Sequence, residues 1–172
     1  MQEQPLFLEE TRTPDRDHWR TPPELFARLD RIFRFGVDLA ASPDNALCEE
    51  YLTEADDALA NEWYKWDRWL WLNPPLSRLP EFMRKVDEQA CNGAAVVALV
   101  PAHRCEQAWW HEHVLGQARW LVYPRGRVAY LPPPGVEVSS PAFPSVLCVY
   151  DANDEGRTTA MSLDEFERIH RR

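Results

Sequence analysis

The sequence predicts an α/β domain with a mostly parallel sheet, and two patterns support that prediction. Apolar runs of strand length alternate along the chain with segments in which apolar residues recur at helical spacing. The run over residues 94–100 is apolar throughout, which is typical of a parallel strand buried on both faces. A turn-rich loop, instead of a helix, separates the last strands, so we expect an antiparallel strand near the C-terminus.

The division of the chain follows from composition. Residues 1–17 are polar, contain two prolines and predict a flexible N-terminal arm. Residues 18–151 hold the alternating pattern and form the expected domain. Residues 152–172 are expected to form a linker and a C-terminal helix. The linker extends from about residue 151 to residue 160, and the helix begins with a capping box at Ser162.

Each element has a local signal. Thr21 is expected to cap the first helix, with Pro22 at its first position and Glu24 completing a capping box. Residues 48–52 fit either a short helix or a second strand. The expected strands span residues 35–41, 69–72, 94–100, 118–123 and 143–150. The other expected helices span residues 79–91 and 106–115. The long loop over residues 124–142 is expected to hold a hairpin near residues 127–131.

Composition also limits the function. The chain of 172 residues suffices for one domain with its own core, and no apolar run has the length of a membrane span. The N-terminus lacks a signal pattern, so we expect a cytoplasmic protein without a membrane partner. The four cysteines form no CxxC pair, and we expect reduced thiols and no metal site. The net charge of −9 opposes nucleic-acid binding but leaves room for a local basic face.

The most informative stretch is the strand over residues 69–72 with the residues that follow it. Asn73 comes directly after the strand, and Pro74 and Pro75 end the ladder because neither has a backbone N–H to donate. A side-chain amide is thereby held at the carboxyl end of a strand, where ligands bind in open α/β sheets.

Methylation of an amino nitrogen fits this arrangement. The lone pair of an exocyclic amino group such as adenine N6 is delocalised into the ring, which makes the nitrogen a poor nucleophile. An amide oxygen and a neighbouring backbone carbonyl that both accept from the NH2 group localise the lone pair and direct it at an electrophilic methyl group. Such catalysis works by positioning and oriented dipoles. It needs no general base, so His103, which follows the strand over residues 94–100, is given no role.

These residues resemble a known family. Asn73-Pro-Pro matches the (D/N)-P-P-aromatic motif of S-adenosylmethionine-dependent amino-methyltransferases, and the chain is similar to the phage-type, Dam-like DNA adenine N6-methyltransferases. The resemblance covers roughly residues 18–150 in the family's order. The matching stretches are residues 19–22, 37–42, 45–46, 51–53, 56–59, 72–75, 97–101 and 143–147.

The resemblance implies a Rossmann-like methyltransferase fold that binds S-adenosylmethionine at the carboxyl ends of the first strands. It implies catalytic roles for the four motif positions, Asn73, Pro74, Pro75 and Leu76. It implies cofactor contacts for Trp19, Thr21, Pro22, Asp38, Ala40, Asn45 and Asp57. Structural alternatives stay open for Thr21 as a helix cap, Asp38 as a turn cap, Asp57 as a solvated charge and Trp19 as core.

One motif position departs from the family. Leu76 stands where the family has an aromatic ring that stacks on the flipped base, a contact worth about 1–3 kcal/mol. Either the activity is weakened or lost, or another ring replaces it, and Trp109, Tyr130 and Phe143 are the candidates.

A DNA substrate requires base flipping, because an adenine inside a duplex is out of reach of a pocket at a sheet edge. By elimination, the DNA contact is assigned to the long loop, with Arg125, Arg127 and Tyr130 as its residues and Phe143 directly after it; a solvated hairpin is the alternative. No room is left for a separate target-recognition domain, so we expect a short or relaxed recognition sequence. Two other functions stay open: a binding protein that has lost catalysis, and methylation of a protein glutamine.

Overall fold

The computed structural model describes residues 16–135, 143–154 and 156–170. In this part of the chain, seven strands form one sheet. They are β1 Val37–Asp38, β2 Glu50–Tyr51, β3 Trp69–Leu72, β4 Ala95–Pro101, β5 Trp120–Tyr123, β6 Ser145–Tyr150 and β7 Thr159–Ser162. The strand order across the sheet is β2-β1-β3-β4-β6-β5-β7.

The sheet is mostly parallel, as the sequence predicted. β1 pairs in parallel with β2 and β3, β3 with β4, and β5 with β7. Only β6 runs the other way, and it is antiparallel to both of its neighbours, β4 and β5. The expected antiparallel strand near the C-terminus is therefore confirmed.

Helices cover both faces of the sheet. They are α1 Pro23–Phe33, α2 Leu79–Cys91, α3 Ala108–His113 and α4 Leu163–His170. Side chains of α2 and α3 pack on one face, where Leu70 and Leu72 point, and side chains of α1 and α4 pack on the other, where Trp71 points. The alternation within β3 follows from the period of two in a strand. None of the helices within the described ranges is long and apolar enough to span a membrane.

The start of α1 corrects the predicted cap. The cap residue is Pro22, with φ −60° and ψ 129°, and the helix begins at Pro23. Thr21 is neither the cap nor part of a capping box; it lies one residue earlier, and its side chain is buried. The second proline explains the shift, because a residue that precedes proline is disfavoured in the helical region.

Several other boundaries differ from the prediction. β1 has two residues instead of seven, and the Asp38 carboxylate at its end accepts hydrogen bonds from the loop that follows. The open choice at residues 48–52 is resolved as β2. β7 replaces the end of the expected linker and pairs with β5. The expected hairpin near residues 127–131 is absent from the described residues, since Leu131 bridges to Arg20.

The prediction for the first residues is tested only at its end. Residues 1–15 lie outside the described residues. Residues 16–18 form a 3-10 turn, so the last two positions of the expected arm are part of the folded structure. The four cysteines are free, and Cys148 is buried within β6.

The sheet order changes direction at β1, which has β2 on one side and β3 on the other. The end of β1 lies beside the end of β3, since Asp38 is in register with Trp71. In an open α/β sheet, the crevice beyond such a change of direction is the favoured place for a ligand. Asn73 follows β3 at this position.

Candidate active site

A cavity of about 720 Å³ opens where β1 and β3 end. Its walls come from the loop after β1, the acidic loop after β2, the Asn-Pro-Pro segment and the first described residues. Ala40, Asn45, Asp57, Asn73 and Pro75 line it, so five of the predicted site residues meet in one place. The volume is within the range of small-molecule and cofactor sites.

A second, much smaller cavity adjoins Asn73. It measures about 10 Å³, roughly the space of one water molecule. Its walls are largely apolar and aromatic. They are formed by Asp17, Trp19, Asn73, Pro74, Leu76, Leu99, Tyr130 and Phe143. Asp17 and Asn73 line both cavities, so these two side chains mark the boundary between them.

The side-chain amide of Asn73 is fixed in orientation. Its Nδ2 donates a hydrogen bond of 2.9 Å to the backbone carbonyl oxygen of Trp19. A carbonyl oxygen can only accept, so the nitrogen of the amide must face Trp19 and Oδ1 must face away from it. Oδ1 accepts no hydrogen bond from the described residues and is available to a ligand.

The two prolines and Leu76 form a turn that is held from outside. Pro75 has an extended backbone, and a 3-10 turn over Leu76–Arg78 follows it. The backbone N–H of Ser77 donates to Asp17 Oδ1 over 2.7 Å, and the Ser77 hydroxyl donates to Asp17 Oδ2. Asp17 thereby anchors the turn that carries Leu76.

We call residues 17–20 the strap, because they join the Asn-Pro-Pro turn to the proline-rich loop. Asp17 bonds to Ser77, the Trp19 carbonyl bonds to Asn73, and Arg20 forms an antiparallel bridge with Leu131. The bridge consists of two backbone hydrogen bonds of 2.9 and 3.0 Å. The strap therefore lies between the Asn-Pro-Pro turn and the proline-rich loop.

Asp38 lies beside the large cavity without lining it. Its buried carboxylate accepts hydrogen bonds from the backbone N–H groups of Ala40 at 3.3 Å and Leu47 at 3.2 Å. Burial raises the pKa of Asp38 from its ordinary 3.8 to about 6, and the two hydrogen bonds oppose that shift. Asp38 thus shapes the loop that brings Ala40 and Asn45 to the cavity wall.

Asp57 and Asp56 have different environments despite being neighbours. Asp56 is used locally, because its carboxylate accepts from both the backbone N–H and the hydroxyl of Thr53. Asp57 lies on the wall of the large cavity and has a left-handed backbone with φ 45°. Its carboxylate accepts no hydrogen bond within the described ranges, which leaves it open to a donor from a ligand.

Trp19, Thr21 and Pro22 were predicted to contact the cofactor, but none of them lines the large cavity. The Trp19 side chain lines the small cavity, not the large one. Pro22 caps α1, and Thr21 is buried beside it; neither lines either cavity. The Thr21 hydroxyl has no hydrogen-bond partner in the part of the chain that is described.

Of the four predicted DNA contacts, two are at the small cavity. Tyr130 is buried and hydrogen bonded to the Ser145 hydroxyl at 2.9 Å, while Phe143 is half-buried with its ring centroid 5.6 Å from that of Tyr130. Trp109, the third ring considered as a replacement at Leu76, is buried against α2 and lines neither cavity.

The two predicted arginines are exposed and differ in their partners. Arg125 Nε lies 3.4 Å from Asp164 Oδ2 on α4, so its charge is partly compensated within the protein. Arg127 forms no ion pair with a described residue.

The sequence-based prediction missed two residues that line the large cavity, Asp17 and His18, and gave no role to Arg104. Asp17 and His18 line the large cavity but were assigned to the arm or its border. Arg104 follows β4 in a 3-10 turn, and the ring of its neighbour His103 lies 5.5 Å from that of Phe143. Only the position of His103 and Arg104 directly after a buried strand could have indicated a site at the sheet edge.

Comparison with known proteins gives a consistent picture. A family model described as DNA N-6-adenine-methyltransferase (Dam) matches residues 9–171. A DNA N-6-adenine-methyltransferase of Escherichia phage T1 is 38% identical over 105 residues, which are 59% of this chain and 43% of that protein. One of Haemophilus phage HP1 (strain HP1c1) is 27% identical over 116 residues, 66% of this chain and 65% of the relative. The chain therefore spans less than two thirds of the length of either relative.

Proposed function

The chain belongs to the DNA N-6-adenine-methyltransferase (Dam) family, and we propose that it transfers a methyl group from S-adenosylmethionine to the N6 amino group of adenine in DNA. The family match and the names of the two phage relatives support the reaction. The observation that carries the proposal is the position of Asn73, which lies on the boundary of a cofactor-sized cavity and an aromatic-walled one.

The large cavity is the proposed cofactor site. Its volume suits a nucleoside with an amino-acid tail, and the small side chain of Ala40 leaves the end of β1 accessible to a ligand. Asp57 accepts from the amino group of the cofactor's adenine, and Asn45 contributes a polar group at the same wall. When bound, S-adenosylmethionine supplies an electrophilic methyl group.

The small cavity is the proposed site of the flipped adenine. At about 10 Å³ it is far too small for a purine, so base entry requires the residues that line it to move apart. Asn73 Oδ1 and the backbone carbonyl of Pro74 then accept from the N6 amino group. Because Asn73 lies on both cavities, its oxygen holds the amino nitrogen facing the cofactor side, and the proton leaves after methyl transfer.

The fold we propose is a Rossmann-like methyltransferase domain. The parallel strands with helices on both faces, the change of strand direction at β1 and the single reversed strand β6 support this assignment. We propose a cytoplasmic location, which is consistent with a DNA substrate.

Basic residues that are close in sequence to residues around the small cavity are proposed to contact the DNA backbone. Arg104 and Arg127 form no ion pair with the described residues, whereas Arg125 is directed to Asp164. Arg104 lies next to His103, which contacts Phe143 at the cavity wall. Local positive charge would allow a chain with a net charge of −9 to bind the DNA polyanion.

The test is to incubate the protein with unmethylated DNA and S-adenosylmethionine labelled in its methyl group, and then to identify the modified nucleoside. We expect labelled N6-methyladenine. Label in cytosine, label in an added glutamine-containing protein but not in DNA, or cofactor binding without transfer would each contradict the proposal. The last result would favour a binding protein without catalysis, the alternative suggested by Leu76 in place of the aromatic residue of the motif.

A further inference from the structure

We propose that Asp17 is a positioning residue for methyl transfer, acting through Ser77 on the turn that presents Asn73 and Leu76. The inference rests on the proposed function and adds a residue to it. It starts from the two hydrogen bonds that the Asp17 carboxylate accepts from Ser77, one from the backbone N–H at 2.7 Å and one from the hydroxyl. Both carboxylate oxygens are used, which fixes the direction of the carboxylate as well as its distance.

The strap contacts the Asn-Pro-Pro turn at both of its ends. The Trp19 carbonyl accepts from Asn73 before the two prolines, and Asp17 accepts from Ser77 after them. Pro74 and Pro75 make the turn stiff because proline fixes φ, but stiffness alone does not fix where the turn lies relative to the sheet. Two anchors on one short segment do fix it.

The strap is also held in place by backbone hydrogen bonds to the proline-rich loop. Arg20 bridges to Leu131 through two backbone hydrogen bonds, so the strap cannot slide relative to the proline-rich loop without breaking them. Asp17 and Asn73 are the two side chains common to both cavities. Movement of the Ser77 end of the turn is therefore transmitted to Leu76 at the small cavity and to Asn73 at the boundary.

Transfer of a methyl group between two sites depends on their relative placement, and an error of about 1 Å can cost roughly a hundredfold in rate. Without Asp17, the turn keeps its anchor at Asn73 but loses the one at Ser77. We therefore expect loss of Asp17 to lower kcat more than it raises KM for S-adenosylmethionine, since most of the large cavity is left intact.

The experiment compares Asp17→Ala, Ser77→Ala, the double variant and Asp17→Asn. We expect kcat to fall about ten- to a hundredfold in Asp17→Ala. The double variant should be no slower than Asp17→Ala, because the hydroxyl hydrogen bond that Ser77→Ala removes is already lost with the Asp17 carboxylate. Asp17→Asn should recover part of the rate, since an amide oxygen still accepts one of the two hydrogen bonds. An unchanged kcat in Asp17→Ala, or single losses that multiply in the double variant, would overturn the inference.

Ser162→Ala is the matched control. Ser162 also places a side-chain oxygen on a backbone N–H, that of Glu165 at the start of α4, away from both cavities. It should lose stability by a similar mechanism and keep kcat.

Hydrogen exchange separates this inference from the proposed function. If the wild-type protein transfers no methyl group, the proposed function fails, but the anchoring can still be measured. Asp17→Ala should then speed amide exchange at residues 77–79, and Ser162→Ala should not. Unchanged exchange at those amides in Asp17→Ala would overturn the positioning role.

Discussion

The side-chain nitrogen of Asn73 and the backbone oxygen of Trp19 are 2.9 Å apart, joined by a hydrogen bond between residues 54 positions apart in the sequence. This contact decides which end of the amide faces the site. With the nitrogen engaged, Oδ1 is the atom left for a substrate amino group, which is the acceptor that amino-methylation requires.

The contact predicts that Asn73→Asp is destabilising at neutral pH. A carboxylate has no proton to donate, so one of its oxygens would face the Trp19 carbonyl oxygen, at a cost of about 1–3 kcal/mol. The repulsion raises the pKa of the introduced carboxyl, and the lost stability returns as the pH falls and the carboxyl is protonated. Urea unfolding of Asn73→Asp at pH 5 and pH 8 measures this. Asn73→Ala is the control, since its stability loss should not vary with pH in this way; equal losses of Asn73→Asp at both pH values would contradict the account.

The aromatic walls of the small cavity predict that Phe143 replaces the ring missing at Leu76. Phe143→Leu keeps an apolar side chain but removes stacking on the flipped base, worth about 1–3 kcal/mol, so KM for DNA should rise roughly tenfold or more. Leu76→Ala should have the smaller effect on DNA binding. Steady-state kinetics with DNA as the varied substrate compare the two, and a larger effect of Leu76→Ala would place the base against Leu76 instead.

The different partners of the arginines predict different effects on DNA binding. Arg104→Ala should weaken binding at every sequence and lower the slope of log K against log salt by about 0.9 if it contacts one phosphate. Arg125→Ala is the matched control, because Arg125 is already directed to Asp164. Titration of labelled DNA at several salt concentrations gives both slopes. An unchanged slope for Arg104→Ala, or the larger change for Arg125→Ala, would contradict the assignment of a phosphate contact to Arg104.

The buried carboxyl of Asp38 predicts a pH dependence of stability. Its pKa in the folded protein is about 6, above the ordinary 3.8, so the folded state holds a proton at pH values where the unfolded state has lost it. The resulting stabilisation is full below about pH 4 and is lost as the pH rises through 6, a difference of roughly 2–3 kcal/mol. Asp38→Asn should remove this component, which unfolding curves between pH 4 and pH 8 would show as a flatter profile. A variant profile parallel to that of the wild type would contradict the assigned pKa.

Local signals in the sequence predicted the strand, turn and helix around Asn73. Asn73 and its prolines follow a strand of four apolar residues, and the helix after them begins at Leu79, so strand, turn and helix were all readable. Ala40, Asn45 and Asp57 were assigned through the resemblance, and they do meet at one cavity.

The remainder depended on contacts between distant parts of the chain. In the sequence, Asp17 belongs to a polar segment that predicts an arm. In the structure, its carboxylate accepts a hydrogen bond from Ser77, which is 60 positions away. Leu131 suggested a local hairpin, but its backbone partner is Arg20. β7 has no apolar pattern, because an edge strand with exposed residues forms through backbone pairing with β5 and not through burial.

The most direct test of the central claim is single-turnover methyl transfer by the wild type and by Asn73→Ala, with binding of S-adenosylhomocysteine measured alongside. The account predicts labelled N6-methyladenine from the wild type, a rate lower by about a hundredfold or more in Asn73→Ala, and similar S-adenosylhomocysteine affinity in both. An equal rate in Asn73→Ala, or no N6-methyladenine from the wild type, would contradict it.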